Sequence, residues 1–242
     1  MTTAQTPLPS PRPGGEIGAA IVPGYYLSET VQKAGSARQA IGQVSAMLEP
    51  GELIDVPGLS LGGRYVGGDD AEGYAEPMLR YRRYLDAQQR FALSGVAFGT
   101  HARGSSGAQS YSATRAGLEA TGDAQLTPKS NWAELHLSLS AAATGLDAEG
   151  KYCLDDDRRF ARDCQDSPTP PVDATAGGVY PSATGTLALD FGRQLPGIFH
   201  GGRLALLGAA GTQPVVEGGD QKNARWFHSG GLSLTLGFGA AE

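Results

Sequence analysis

The chain has 242 residues, 36 of them Gly, with 40% hydrophobic, 18% charged and 7% aromatic residues and a net charge of −6. That apolar content is too high for a disordered chain, and so much Gly disfavours a helical bundle. No apolar run is long enough for a transmembrane helix, and the acidic balance with no basic run argues against nucleic acid as a partner.

Residues 1–15 read as a flexible, Pro-rich N-terminal arm. They lack the basic start and apolar stretch of a signal peptide. GGEIGAAIVPGYYLSE then reads as a strand. GSARQAIGQVSAMLEPGE is open to two readings: Ile41, Val44 and Leu48 have helical spacing, whereas Val44, Ala46 and Leu48 have strand spacing. Glu49-Pro50-Gly51-Glu52 would turn a strand at 38–48 into the next one.

Eight clearer segments follow, at about 53–67, 74–84, 90–103, 108–124, 131–147, 179–192, 198–211 and 223–239. Each alternates between an apolar face and a small or charged one. In 131–143, Ala133, Leu135, Leu137, Leu139 and Ala141 oppose Trp132, Glu134, His136, Ser138 and Ser140. In 184–191, Leu187, Leu189 and Phe191 oppose Thr186, Ala188 and Asp190. Several segments exceed the usual strand of ~5–6 residues and suit a bilayer-spanning strand of ~9–11. Leu85–Gln89, Leu126–Ser130 and Gln194–Gly197 read as short turns at one end. Gly68–Gly73, Gly104–Gly107, Gly150–Gly178 and Thr212–Lys222 read as the loops of the other end, two of them long.

These features predict an all-β fold, an antiparallel up-and-down transmembrane β-barrel over residues 16–239. Ten strands are preferred, because two added strands keep both termini on one side. Eight strands with residues 28–50 as an N-terminal helix or plug are the alternative. The charged face carries Arg64, Arg80, Arg82, Arg115, Glu119, Glu134, His136, Asp190 and Arg203. In a membrane barrel these form a lumen ion network, since unpaired buried charge is costly. Tyr65, Tyr74, Tyr84, Trp132, Tyr180, Phe199 and Trp226 lie near segment ends and suggest interfacial girdles.

The two cysteines, Cys153 and Cys164, fall in the longest loop with no Cys or His between them. A disulfide in an oxidising compartment fits them better than zinc, the alternative being two free thiols. No catalytic set emerges. His228 and Ser229 are strand neighbours and point to opposite faces. Glu134 and His136 share a face and could do acid–base chemistry, but filling a narrow lumen is the simpler role. His101 and His200 have no companion at metal-ligand spacing, and Asp155–Asp157 sit among competing arginines. The expectation is therefore no enzyme, no metal and no cofactor.

The amphipathic strands, the loop asymmetry and the last strand, GLSLTLGF with Phe238 as its aromatic, resemble the small outer-membrane β-barrels of Gram-negative bacteria, the OmpA/OmpX-like group. The resemblance spans about residues 14–239, although Gly-Ala-Ala-Glu follows Phe238 where the family ends on the aromatic. It implies a bacterial outer-membrane location and contact with outer-membrane lipid. It also implies a structural, anchoring or surface-interaction role, with another envelope or surface protein bound through the outer loops. The alternatives are a narrow channel for water, ions or small solutes, and a soluble lipocalin-like barrel. The last would place Leu135, Leu137, Leu187 and Leu189 inside.

Overall fold

The computed structural model describes residues 14–24, 39–50, 54–68, 71–106, 109–129, 132–153, 170–191, 199–217 and 220–239. Ten strands follow one another: β1 (Gly14–Gly24), β2 (Gln39–Glu49), β3 (Leu59–Gly68), β4 (Ala71–Tyr84), β5 (Phe91–Ser106), β6 (Gln109–Gln125), β7 (Ala133–Tyr152), β8 (Val172–Phe191), β9 (Phe199–Glu217) and β10 (Asp220–Gly239). Each pairs antiparallel with its sequence neighbours, and β1 pairs with β10, which closes an up-and-down barrel without edges. At that seam Gly15 opposes Phe238. A Cβ on Gly15 would meet the Phe238 ring and the Met47 carbonyl at 2.5 Å, so only glycine lets the phenyl lie across the seam.

Residues 39–49 form a strand laddered to β1 on one side and β3 on the other, not a helix or plug. The alternation Val44, Ala46, Leu48 wins because it places all three on the outer face, opposite Gln43, Ser45 and Met47. Residues 28–38, the arm as far as residue 13, and Cys164 lie outside the described residues. Gly14 and Gly15 belong to β1 rather than to the arm.

Several segment boundaries move. The strand read from 53 begins at Leu59, because Asp55 at φ 54° and Gly58 at φ 86° turn the chain first. A Cβ on Gly58 would also strike the Arg82 carbonyl, while the Gly58 carbonyl accepts from Arg82 N at 2.9 Å. The loop read as 150–178 is shorter, since β7 runs on to Tyr152 and β8 already starts at Val172. The loop read as 212–222 is largely strand, with β9 reaching Glu217 and β10 starting at Asp220. The barrel is thus unequal in height. The hairpins of β5 to β10 rise beyond the others at the far end, the end opposite Gly14 and Gly239.

The two faces differ in chemistry over the middle of the wall. Leu118 (67% exposed), Leu139 (62%) and Ile21 (62%) point outward, with Leu48, Leu61, Leu93, Leu187, Leu206 and Leu232 among their companions. Outward positions on β7 stay apolar from Ala133 to Ala143. Ten residue steps of ~3.3 Å at a tilt of ~40° give a band about 25 Å high, the usual height of a lipid-facing barrel belt. Above that band the alternation keeps its phase but the chemistry of the two faces is exchanged. Outward positions become Asp147, Glu149, Lys151, Asp173 and Thr175, while the inward ones become Leu146, Ala148, Ala174 and Ala176.

The girdle residues divide. Tyr65 and Trp226 (72% exposed) are outside by strand parity, and Trp132 (86%) is outside because it precedes β7, although it alternates in sequence with the inward Glu134 and His136. Tyr74 and Tyr84 share the inward phase of Arg80 and Arg82, and Tyr180 shares that of Asp190, so these three belong to the interior.

Candidate functional site

The lumen holds three groups of charged side chains, two near the terminal end and one nearer the far end. In the first, Arg80 on β4 reaches three strands across to β1. Its Nη1 lies 2.9 Å from Glu16 Oε2, and its Nη2 donates to Glu49 Oε1 at 2.8 Å and to Ser60 Oγ at 3.2 Å. Ser60 Oγ in turn donates to Glu49 Oε1 at 3.3 Å. Arg82 adds a longer contact to Glu16, at 3.5 Å. One guanidinium therefore ties β1, β2 and β3 to β4.

The second group is built from β6 to β9. Arg203, 1% exposed, forks onto Asp190 through Nε at 2.5 Å and Nη2 at 2.8 Å. This two-toothed geometry is the strongest form of the pair. Its Nη1 extends to Asp123 Oδ2 at 3.3 Å, again three strands away. His136 lies between these carboxylates, with Nδ1 3.0 Å from Asp123 and Nε2 3.3 Å from Asp190 and 3.7 Å from Glu134. Ser138 Oγ donates to Asp123 Oδ2 at 2.5 Å.

The third group joins β3 to β6. Arg64 pairs with Glu76 Oε2, and Arg115 Nη1 lies 3.3 Å from Glu76 Oε1. Arg115 also donates to the Tyr74 hydroxyl at 2.7 Å. Both guanidiniums lie 5.2 Å from the Phe98 ring centroid, where the negative ring face attracts them.

All nine charged residues singled out from the sequence therefore lie on the inner face. Arg64, Arg80, Arg82, Glu119, Glu134, His136 and Arg203 are buried, and Arg115 and Asp190 are largely so. Glu119 accepts from Thr121 Oγ1 at 3.4 Å. The sequence reading left Glu16, Glu49, Glu76, Asp123, Ser60 and Phe98 out of the network, and assigned Tyr74 to a girdle rather than to the lumen. Parity alone would have found Glu76, in phase with Arg80, and Asp123, in phase with Arg115. Phe98 carried no such signal, because an inward aromatic breaks the rule of polar residues inside.

The arrangement suits cross-linking of the wall better than catalysis. A nucleophile needs its own hydrogen bond to the base. Here Ser138 and His136 both bond to Asp123, and the Ser138 proton is directed at the carboxylate rather than at the imidazole. His228 is exposed and Ser229 half-buried, on opposite faces. Among the described residues no three His, Cys, Asp or Glu side chains form a metal-holding group. Cys153 is fully buried and is not a free thiol.

At the terminal-end turn, Asp86 Oδ1 accepts from Arg90 N at 2.8 Å and Phe91 N at 2.9 Å. The Phe91 N–H, more than any other cause, holds the Asp86 carboxyl below its ordinary range.

No protein-family model matches the chain, and no curated protein matches it.

Proposed function

We propose that this is an integral outer-membrane β-barrel, non-catalytic, with a structural, anchoring or surface-interaction role. One observation carries the reading: the wall is apolar outward over a band about 25 Å high and charged inward, the reverse of a water-soluble barrel. Outer-membrane lipid is its first partner. The hairpins that rise above the band, with the 153–171 connection between β7 and β8, are where a second envelope or surface protein would bind, since recognition concentrates on connections held by a rigid scaffold. A Cys153–Cys164 disulfide would brace that connection.

The two alternatives have less support. Arg80 and Arg203 each bridge three strands across the lumen near the same end, which leaves little bore for a channel. A lipocalin-like barrel needs an apolar interior, yet Leu137, Leu187 and Leu189 lie on the exposed face.

The test has two arms. Protein refolded in detergent is compared on SDS gels before and after boiling, and then recorded in planar bilayers. A faster unboiled band with conductance at background is expected. Sustained conductance would replace the plugged barrel with a channel. A monodisperse protein in plain buffer with no gel shift would remove the membrane reading.

A further inference from the structure

We propose that the outer face of β5, just above the apolar band, holds the phosphate of a lipid headgroup on Arg103, with His101 and Thr114 positioning the guanidinium. This rests on the membrane reading above and adds to it the part of the lipid that is recognised.

Height is the first observation. Outward positions on β5 run Leu93, Gly95, Ala97 and Gly99, and then change to His101 and Arg103. Ten steps separate His101 from Phe91, where β5 begins, as ten separate Ala143 from Ala133, where β7 begins. His101 therefore stands at the upper edge of the band, and Arg103 two residues, or about 5 Å, above it at the strand tilt used there. That is the level of the headgroups rather than of the acyl chains.

The second observation is a built network on this exposed face. Arg103 Nε donates to His101 Nε2 at 2.6 Å, and His101 Nδ1 lies 2.8 Å from Thr114 Oγ1 on β6. A ring nitrogen that accepts carries no proton, so the neutral imidazole donates from Nδ1 to Thr114. An exposed arginine normally wanders among rotamers. Here Nε is tied, so less freedom is lost when the guanidinium binds. Among the described residues neither Nη nitrogen of Arg103 has an acceptor, which leaves that edge of the fork for two oxygens of one phosphate.

The surroundings fix where the phosphate sits. Asp147 and Glu149 are two strands away, behind Thr114 and Ser112, at about 10 Å. They repel an anion from the β7 side. On the other flank the outward Ala75 and Pro77 of β4 are uncharged.

The test uses the full chain refolded in a non-ionic detergent. Wild type and Arg103→Gln are titrated with phosphatidylglycerol, and separately with a glycolipid of the same chains and an uncharged sugar head. Retained lipid is counted by native mass spectrometry. Wild type should retain phosphatidylglycerol about fivefold better, the weight of one basic residue at a lipid surface. R103Q should retain both alike, and His101→Ala should fall between, because the charge stays and its positioning is lost. Equal retention by wild type would overturn the proposal, as would a preference that survives in R103Q. An H101A preference equal to that of wild type would overturn the positioning role. Displacement of phosphatidylglycerol by equimolar inorganic phosphate would overturn the assignment to a lipid. Flotation with vesicles separates this proposal from the reading beneath it: wild type that floats without a lipid preference overturns the phosphate contact alone, and wild type that stays in the aqueous layer overturns both.

Discussion

Leu139 offers a sharp test of what surrounds the barrel. It is 62% exposed, and it lies one residue from the middle of the outward apolar run Ala133–Ala143 on β7. Its cross-strand neighbours are Gly122 on β6 and Gly185 on β8, so a longer side chain meets no steric barrier. Leu139→Arg therefore changes only what the outer surface presents to its surroundings. In a bilayer, an arginine this close to the midplane costs about 2–4 kcal/mol. On a water-facing surface the same change stays within about 0.5 kcal/mol. The assay is reversible guanidinium unfolding of protein refolded into lipid vesicles. With a slope of about 3 kcal/mol per molar, the midpoint of L139R should fall by about 1 M. Glu149→Arg, also outward on β7 but above the band, is the control and should move little. An L139R midpoint equal to that of wild type would refute the reasoning.

Three further outcomes are expected. Arg203→Ala leaves Asp190 and Asp123 without their cation and should destabilise the barrel by about 3–5 kcal/mol in the same unfolding assay, whereas R203L combined with D190L should recover most of the loss. Trp132 directly precedes the band on β7, and Trp226 pairs with Thr212, which contacts Pro181, the partner of Ala143 at its upper limit; single-tryptophan variants should therefore be quenched more by lipids brominated near the headgroup than by lipids brominated at the chain end. Asp86 has its carboxyl lowered in the fold, so its contribution is present above its ordinary value of 3.8 and is lost as pH falls through the lowered one. Unfolding midpoints of wild type and Asp86→Asn should differ at neutral pH and converge in acid.

Much of the wall was legible because its strands write their two faces in plain alternation. Leu135, Leu137 and Leu139 against Glu134, His136 and Ser138 locate β7, set its phase and identify its inward charges at once. The same parity extends to Glu76 and Asp123, so more of the ion network was readable than simple inspection collected. The partners were harder. That Arg80 bonds across to Glu16, and Arg203 across to Asp123, depends on closure and on reach over the lumen, which no local pattern encodes.

The upper hairpins were missed for a different reason. Beyond the apolar band the phase continues but polarity is exchanged, so the inward Val172, Ala174 and Ala176 are apolar while the outward Asp173 and Thr175 are polar. Gly177 and Gly178 stand where the pattern changes and read as a loop. Pro214 and Gly218-Gly219 had the same effect between β9 and β10. The tyrosines show the opposite case. Nearness to a strand end suggested an interface, but parity placed Tyr74, Tyr84 and Tyr180 inside.

The most direct test of the central claim is flotation. The full chain is refolded in the presence of lipid vesicles, washed at alkaline pH and centrifuged through a density gradient. A lipid-facing belt predicts that the protein rises with the vesicles and stays with them through the wash. Protein left monodisperse in the aqueous layer would mean that the exposed leucines face water, and would contradict the account.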